Sequence, residues 1–226
     1  MSRNSLIAEI DSMVSARQLL RHPFYQEWSA GRLPLDALRS YAAQYYRHVE
    51  LFPRYLSALH CRCQDLHSRQ ALLENLIDEE RGPDNHPELW LRFAEGLGLS
   101  REQVLGATAL ASTRRLVETF TRLSCKEPIE AGFAALYVYE SQIPETAAAK
   151  IQGLRHHYGI TDRRSLSFFT VHKNADVLHA QVCAEMLERH ARGLNAKTSV
   201  LKGTELALAA LWEMLDGVHA SNGPQG

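Results

Sequence analysis

Apolar residues recur three and four positions apart along most of the chain, a spacing that places them on one face of an α-helix. Leu35, Leu38, Tyr41, Tyr45 and Val49 form one such run. Alternating apolar and polar positions, which are typical of half-buried strands, form no convincing run in the sequence. The pattern therefore predicts an all-α fold.

The same spacing predicts where the helices lie. The predicted helices span residues 4–20, 34–62, 66–81, 85–97, 101–108, 111–124, 128–156, 162–190 and 199–219. Ser100 and Gln103 have the form of a capping box at the start of one helix. Pro53 and Pro144 lie inside long periodic segments, where the missing N–H and the ring should bend the helix. Residues 197–203 are predicted to form a loop before the last helix.

Length and composition are those of a globular protein. The chain has 226 residues, of which 45% are hydrophobic, so it is long enough to bury one sizeable core. No Pro-, Gly- or Ser-rich linker divides it, and we expect a single helical domain over residues 1–226, with a disordered tail at residues 221–226. The formal net charge is -1, from 25 basic and 26 acidic residues, without a long run of one sign. Nucleic acid is therefore not an expected partner.

The N-terminal residues mix charged and apolar side chains, so they lack the continuous apolar stretch of a secretory signal. No segment approaches the roughly 18 apolar residues that a membrane-spanning helix needs. Cys61, Cys63, Cys125 and Cys183 are then expected to be reduced thiols. The sequence predicts a cytoplasmic protein without a membrane partner.

Acidic and histidine residues in four predicted helical segments form the most informative chemical pattern of the chain. They are Glu79, His86, Glu140, His172, Asp176 and His179. The last three are spaced i, i+4 and i+7, so they project from one stripe of a helix. Carboxylates and imidazoles in this mixture suit a pair of iron-like or manganese-like ions. Oxygen-activating chemistry is therefore the leading hypothesis.

Each part of this pattern also has an ordinary structural explanation. A His-Asp-His stripe occurs on exposed faces, or as core histidines bonded to a carboxylate. Glu140 lies in a strongly apolar segment, where an unpaired carboxylate costs several kcal/mol, so it needs a cation, a hydrogen-bond donor or a proton. Glu79 and His86 are separated by a Gly-Pro pair that breaks the helix, so helical spacing alone does not place them on one face.

At these residues the chain resembles the haem-oxygenase-like dimetal oxidases, and most closely the branch of self-sacrificing para-aminobenzoate synthases that includes the chlamydial death-domain-associating protein. The resemblance covers nearly the whole chain. The matching stretches are His22-Pro23-Phe24-Tyr25, residues 79–86, Tyr139-Glu140-Ser141-Gln142, Lys150 and His172-x-x-x-Asp176-x-x-His179. The resemblance implies an all-α, haem-oxygenase-like helical bundle of the TenA and PqqC kind. It also implies that all six residues of the pattern are metal ligands.

In that branch, the resemblance implies that the protein consumes its own side chains. Tyr25 matches the tyrosine that is cut from the backbone, oxidised at its former Cβ to a carboxylate and aminated on the ring. Lys150 matches the lysine that donates the nitrogen, and the product is para-aminobenzoate, a folate precursor. Two metal ions, Fe/Fe or Mn/Fe, act with dioxygen and a reductant, and the relatives are usually homodimers. The electron donor is unknown.

Without the resemblance, Tyr25 would be an ordinary packing residue, and Lys150 a solvated cation near a helix end. Tyr139 is a further candidate catalytic residue, although it points about 100 degrees away from Glu140 around the helix. Other tyrosines close to the metals could relay an electron or be modified instead. They are Tyr41, Tyr45, Tyr46 and Tyr137.

Other functions stay open at the level of sequence. The chain could be a dimetal oxygenase of the same fold that acts on a free small molecule, or a thiaminase-like hydrolase with a cysteine nucleophile. A cofactor-free oxidase resembling PqqC would bind an acidic quinone precursor through Arg81, His156 and His157. A non-enzymatic interaction module is a further alternative, although the sequence shows no long charged or apolar surface stripe that would specify a partner. A haem protein with His22 as the iron ligand would leave the six-residue pattern unexplained.

Overall fold

The computed structural model describes the backbone of residues 4–221 and the side chains of residues 6–173 and 178–221. Within these ranges the chain forms α-helices, one turn of 3₁₀ helix at Leu19–Arg21, and no strand. The helices are α1 (Asn4–Ala16), α2 (Pro23–Ser29), α3 (Leu35–Arg62), α4 (Leu66–Glu80), α5 (His86–Gly96), α6 (Arg101–Leu105), α7 (Ala111–Cys125), α8 (Ile129–Glu140), α9 (Ile143–His157), α10 (Arg163–His190) and α11 (Leu194–Ala220). The prediction of an all-α fold is confirmed.

The two longest helices, α3 and α10, contain 28 residues each and frame the interior of the bundle. α5 packs against both of them, α8 and α9 pack against α10, and α11 covers α7 and α8. Buried apolar residues from all of these helices form one continuous cluster. None of the helices within residues 4–221 is long and apolar enough to cross a membrane.

Side-chain caps start the helices that matter most for the site. Asp65 of α4, Asn85 of α5 and Asp162 of α10 each accept the backbone N–H of the third residue beyond them, at 2.9, 3.0 and 2.8 Å. Such caps satisfy N–H groups that have no partner within the helix. The capping box predicted at Ser100 and Gln103 is present at the start of α6.

The prediction of a single helix over residues 128–156 is wrong. α8 ends at Glu140, and α9 begins at the third residue after it. Pro144 lies in the first turn of α9, where its missing N–H would have no helical partner in any case. Gln142 fills the break, because its Oε1 accepts the N–H of Leu19 at 2.9 Å and its Nε2 donates to a carbonyl of α8.

The first predicted helix, residues 4–20, is too long, since α1 ends at Ala16. The sequence also gave no sign of α2. This helix is capped by His22, whose Nδ1 accepts the N–H of Phe24 at 3.0 Å, with Pro23 in the first turn. Histidine is not among the usual capping residues, which explains why the start of α2 was missed.

The predicted loop at residues 197–203 is also wrong, because α11 begins at Leu194. The polar residues of this segment bond within the helix instead of marking a turn. Thr198 donates its hydroxyl hydrogen to the carbonyl of Leu194 at 3.0 Å, and Ser199 does the same one residue further on, at 3.1 Å. The tail predicted at residues 221–226 lies, from residue 222 onwards, outside the described residues.

Candidate metal centre and the adjoining lysine pocket

Three of the residues predicted to be ligands meet in the interior. Glu79 lies at the end of α4, His86 at the start of α5 and His172 within α10. One donor atom from each lies within 4.8 Å of the other two. All three side chains are buried. One carboxylate and two imidazoles, supplied by three helices, thus form a compact donor group.

The turn between α4 and α5 brings Glu79 and His86 together. Gly82 has a φ of 80°, in the left-handed region that favours glycine. Asn85 then caps α5 by accepting the N–H of Glu88 at 3.0 Å. As a result, Oε2 of Glu79 and Nδ1 of His86 lie 2.7 Å apart. In the sequence, the Gly-Pro break prevented helical spacing from placing Glu79 and His86 on one face. In the structure, the same break forms the turn that makes them neighbours.

His172 is oriented by a hydrogen bond within its own helix. Its Nδ1 lies 2.7 Å from the carbonyl oxygen of Phe168, and because a carbonyl only accepts, Nδ1 carries the hydrogen. Nε2 therefore keeps its lone pair for a ligand. Burial lowers the pKa of His172 well below its ordinary value of 6.5, and the neighbouring His86 lowers it further. The ring is neutral at physiological pH, which is the form that binds a metal.

These donors fit a transition-metal ion. Nδ1 of His86 and Oε2 of Glu79 approach to 2.7 Å without the alignment of a hydrogen bond, as two ligands of one ion do. Imidazole and carboxylate donors in combination suit iron, manganese or zinc. A carboxylate removed from water, with two imidazole rings in the same donor group, is also stabilised by a cation.

Glu140 lies outside this group of three donors. Its carboxylate is buried, and it accepts hydrogen bonds from Nδ2 of Asn75 at 2.8 Å and from Sγ of Cys183 at 3.3 Å. The sequence required a cation, a donor or a proton for this carboxylate, and the structure supplies two donors. Asn75 comes from α4 and Cys183 from α10, so Glu140 connects three helices.

His179 is likewise held by a different partner. Its Nε2 lies 3.2 Å from Oδ2 of Asp78, the residue before Glu79. Among the described side chains, His179 and Glu140 join no three-donor group. The side chain of Asp176 lies outside the described part of the structure. The role of these three residues as ligands therefore stays a prediction.

Sequence reasoning missed the partners Asn75, Asp78 and Cys183. Two of them follow the helical period, since Asn75 lies four residues before Glu79 and Cys183 lies four residues after His179. Residues four apart share a helix face. A search for polar residues one turn from each predicted ligand would therefore have found both.

Lys150 lies in a pocket beside the metal centre, with aromatic rings around its amine. Its Nζ lies 5.3 Å from the ring centres of Tyr25 and Tyr41, 5.6 Å from that of Tyr45 and 5.4 Å from that of Phe169. Within the described residues, its amine makes no hydrogen bond or ion pair. Only 3% of the residue is exposed, and this burial lowers the pKa of Lys150 from 10.5 to about 7.

The pocket and the metal centre share a wall made by α10. Phe168 stacks on His172, with ring centres 4.0 Å apart, and the next residue, Phe169, faces Lys150. The charge of Lys150 also contributes to lowering the pKa of His172, which places the amine within electrostatic reach of the centre. Lys150, Tyr25 and the donor group therefore occupy one continuous region of the interior.

A close contact between α2 and α9 brings Tyr25 and Lys150 together. The hydroxyl of Tyr25 lies 3.1 Å from that of Tyr41. One turn beyond Tyr25, Trp28 packs against Gly153, which lies one turn beyond Lys150. A Cβ atom at position 153 would lie only 2.5 Å from Cδ1 of Trp28. The absence of a side chain at Gly153 therefore allows the two helices to approach.

Tyr139, the third predicted catalytic residue, faces α3. Its ring centre lies 5.0 Å from that of His48 and 4.8 Å from that of Phe52. It is buried, and it lies close enough to Tyr41 to contribute to raising the pKa of that residue. Tyr139 therefore borders the same aromatic interior, on the side of α3.

The residues considered for other functions are engaged elsewhere or lie at the surface. Arg81, His156 and His157 are exposed. The Nε2 of His22 lies 3.0 Å from Oδ1 of Asp216, and its Nδ1 caps α2. Because both nitrogens of His22 already have partners, the ring is poorly placed to bind haem iron.

Comparison with known proteins identifies the family of this chain. A family described as iron-containing redox enzymes, of haem-oxygenase type, matches residues 39–212, a span that includes the three donors and Lys150. The chain belongs to this family. A 4-aminobenzoate synthase of Nitrosomonas europaea is 42% identical to it, over 97% of this chain and 93% of that protein. A 4-aminobenzoate synthase of Chlamydia pneumoniae is 41% identical, over 97% of each chain.

The family has the haem-oxygenase-like fold that the resemblance implied. A crystal structure of a TenA homolog from Pseudomonas syringae pv. tomato superimposes with a TM-score of 0.85, over 97% of this chain and 96% of that one. At 14% sequence identity, this likeness concerns the fold alone. The prediction of a TenA-like helical bundle and of a redox enzyme is thus confirmed.

Proposed function

We propose that this chain makes 4-aminobenzoate from its own side chains, with Tyr25 as the source of the ring and Lys150 as the source of the nitrogen. The relatives described above are named 4-aminobenzoate synthases, which supports the product but not the source of its atoms. The observation that carries the proposal is the buried amine of Lys150, 5.3 Å from the ring of Tyr25 and next to a metal donor group.

Lys150 is suited to donate nitrogen because it is buried. An amine acts as a nucleophile only after losing its proton, and a lysine in water keeps that proton up to about pH 10.4. Desolvation lowers the pKa of Lys150 to about 7, so a large share of the amine is neutral at physiological pH. The aromatic walls also keep competing water away from it.

Tyr25 is held in place by its hydroxyl and its ring. The hydroxyl shares a hydrogen bond with Tyr41 at 3.1 Å, and the ring lies 5.6 Å from that of Phe24 and 6.2 Å from that of Trp28. Burial raises the pKa of Tyr25, so the phenol keeps its proton until it reacts. The short helix α2 therefore presents a neutral, fixed phenol to Lys150.

Glu79, His86 and His172 would hold one metal ion, and we assign Glu140, Asp176 and His179 to a second. When bound, iron or manganese supplies oxidising power from dioxygen, which the conversion of a tyrosine Cβ to a carboxylate requires. The surrounding residues exclude water from the site, since each of the first three ligands is buried. Glu140 would exchange its bonds to Asn75 and Cys183 for a metal.

Tyr41 lies as close to Lys150 as Tyr25 does, at 5.3 Å, and Tyr45 is almost as close, at 5.6 Å. Two arguments favour Tyr25. It stands in the His-Pro-Phe-Tyr stretch on which the resemblance to the synthases rests, and it lies near the start of a short helix. Loss of a side chain leaves a glycine-like residue, which destabilises a helix interior by about 1 kcal/mol. That loss would weaken the long α3 more than α2.

The experiment is mass spectrometry of the metal-loaded, reduced chain before and after oxygen, with 4-aminobenzoate measured in the filtrate. We expect the peptide that contains Tyr25 to lose its side chain, in equal amount to the product released. The Tyr25→Phe variant should release none. Tyr46→Phe is the matched control, since it removes a hydroxyl from a buried tyrosine that is not among the rings around Lys150, and it should keep the full yield.

The other outcomes are equally informative. Loss of the side chain of Tyr41 or Tyr45 would show that the tyrosine is wrongly assigned. Repeated turnover of an added small molecule, with every tyrosine intact, would identify an oxygenase with a free substrate. A chain that binds no metal would contradict the proposal.

A further inference from the structure

α3 carries a row of aromatic side chains along one face. Tyr41, Tyr45, His48, Phe52 and Tyr55 follow one another at intervals of four, three, four and three residues. These intervals place all of them on the same side of the helix. All are buried. The row leaves the lysine pocket and ends close to the protein surface.

The rings of this row lie close to one another. Ring centres are 5.2 Å apart for Tyr41 and Tyr45, 5.5 Å for Tyr45 and His48, and 5.7 Å for His48 and Tyr55. At the inner end, the hydroxyl of Tyr41 lies 3.1 Å from that of Tyr25. A continuous series of close contacts therefore links Tyr25 with Tyr55.

The outer end of the row opens into a surface groove between α3 and α7. The groove has a volume of about 460 Å³, and its lining includes Tyr55, Cys61 and Cys125. Both cysteines are free and exposed. Phenols and thiols are among the side chains that lose an electron most readily. The groove thus places two oxidisable thiols at the end of the aromatic row.

Packing alone does not account for His48 in the middle of the row. The residue is fully buried, and neither of its ring nitrogens has a hydrogen-bond partner within the described residues. An unsatisfied buried polar group costs about 1–3 kcal/mol, which phenylalanine or leucine at this position would avoid. Burial lowers the pKa of His48 to about 3, so the ring is neutral and adds no charge next to an oxidised neighbour.

We infer that this row is an electron-transfer path, and that thiols in the groove, either Cys61 and Cys125 or a small thiol bound there, are the electron source. In each transfer, a thiol loses one electron and one proton, and a tyrosyl radical in the pocket gains one electron and one proton to become a phenol. Two transfers convert two thiols into one disulfide. Dioxygen, acting at the proposed metal centre, is the oxidant that forms the radical, so the inference rests on the proposed function.

Tyr55 is suited to connect the path to the solvent. Burial raises its pKa, so the phenol is protonated and must release a proton together with the electron. Its hydroxyl is buried, so the proton reaches the groove through Thr121, an exposed neighbour that also lines the groove. Inside the protein, Tyr41 lies as close to Lys150 as Tyr25 does, at 5.3 Å, and Tyr45 lies only 0.3 Å farther away, at 5.6 Å. A supply of electrons along α3 restores these two phenols if they are oxidised in place of Tyr25.

The path is tested without metal or oxygen. In the full-length chain carrying Cys125→Ser, a ruthenium polypyridyl photo-oxidant is attached to Cys61, the exposed thiol that remains. After flash-quench oxidation with a nitroso spin trap present, peptide mass spectrometry locates the trapped radicals. We expect adducts on Tyr41 or Tyr45, deep in the core, as well as on Tyr55.

Two tyrosine variants decide the result of this experiment. Tyr55→Phe keeps the ring and removes the oxidisable hydroxyl, so the adducts on Tyr41 and Tyr45 should be lost. Tyr46→Phe, made on the same helix but outside the row, should leave them unchanged. Equal labelling of the core tyrosines in both variants would overturn the path, as would labelling confined to Tyr55. If Tyr55→Phe lowers the thermal stability, His48→Leu provides a second interruption of the row with the same expected loss.

The thiol source is tested on the metal-loaded chain by mapping oxidised cysteines after exposure to oxygen. We expect oxidation of Cys61 and Cys125 above the level in metal-free protein, and its loss in Tyr55→Phe. Release of 4-aminobenzoate with both thiols still reduced would overturn the thiol source and leave the proposed function intact. Oxidation of the thiols that depends on Tyr55, without any product, would support the path and contradict the proposed function.

Discussion

The metal centre and the lysine pocket lie side by side on α10, yet the first favours a positive charge and the second disfavours one. In the centre, the carboxylate of Glu79 lies 2.7 Å from His86, with the neutral imidazole of His172 in the same donor group, and this arrangement favours a cation. In the pocket, Lys150 has aromatic rings around it and no carboxylate partner among the described residues. The same degree of burial therefore attracts positive charge to one site and removes it from the other.

The largest effect is expected from Lys150→Met, which removes the buried amine and keeps the length of the side chain. No 4-aminobenzoate should form. The free energy of unfolding at pH 7 should rise by about 3–5 kcal/mol, because each unit of the pKa shift of Lys150, from 10.5 to about 7, is worth about 1.36 kcal/mol. Chemical denaturation of the two proteins measures this difference.

The dependence of this difference on pH provides an internal check. Between pH 7 and 10.5 the unfolded chain holds a proton on Lys150 that the folded chain has lost, so the stability of the wild type rises with pH in this window. The advantage of Lys150→Met should therefore shrink towards pH 10. Lys173→Met, at an exposed position of α10, is the control and should change little. A variant at Lys150 that is less stable than the wild type at pH 7 would contradict this account.

The next largest effect is expected from Glu79→Gln, which removes the negative charge of the metal centre. Metal affinity should fall by at least about 100-fold, since even the partners that orient metal ligands contribute 10–100-fold. Metal content after dialysis, measured by mass spectrometry of the elements, gives the result. Glu80→Gln removes the same charge from the next, exposed residue and should retain the metal. Equal retention in both variants would exclude Glu79 as a ligand.

A smaller effect is expected when the pH of the reaction is varied. The rate of product formation should rise about tenfold per pH unit below the pKa of Lys150, near 7, and level off above it, because only the neutral amine reacts. Single-turnover measurements between pH 6 and 8.5, with metal content checked at each pH, would show this. A rate that falls as the pH rises would mean that the protonated lysine is the active form.

The smallest effect concerns the thiol that donates to Glu140. Cys183→Ala removes a hydrogen bond to a buried carboxylate, and should cost about 1 kcal/mol more than Cys183→Ser, which keeps a donor. The same pair of substitutions at Cys63, a buried thiol in another part of the core, corrects for the change in side-chain size and polarity. Thermal denaturation measures both differences. Identical differences at the two positions would mean that the Cys183 bond contributes nothing to stability.

Helical spacing predicted most of the fold because the apolar face of a helix repeats wherever it packs on the core. It failed at the break after Glu140, since the apolar pattern continues on both sides and Pro144 suits the first turn of a new helix. Family resemblance predicted Glu79 and His86 as metal ligands but did not say whether they share an ion. Helical spacing could not predict their contact, because it depends on the turn at Gly82.

Contacts between side chains of different helices could not be predicted from the sequence. Asn75 and Cys183 approach Glu140 from two different helices, and such pairs leave no mark in local spacing. The rings around Lys150 come from three helices. The sequence could therefore suggest that desolvation lowers the pKa of Lys150, but it could not show that the residue is buried. The aromatic row on α3 was visible as periodicity, but its end at a groove with two thiols was not.

Gly153 carries no reactive atom, yet the separation of Tyr25 and Lys150 depends on it. An alanine there would add one methyl group against the indole of Trp28, and α9 would have to move away from α2. Lys150 would move with its helix, and its amine would recede from the ring that it is proposed to modify. A mutation at Gly153 would thus leave every proposed ligand and both proposed substrate residues in the sequence and still abolish the proposed activity.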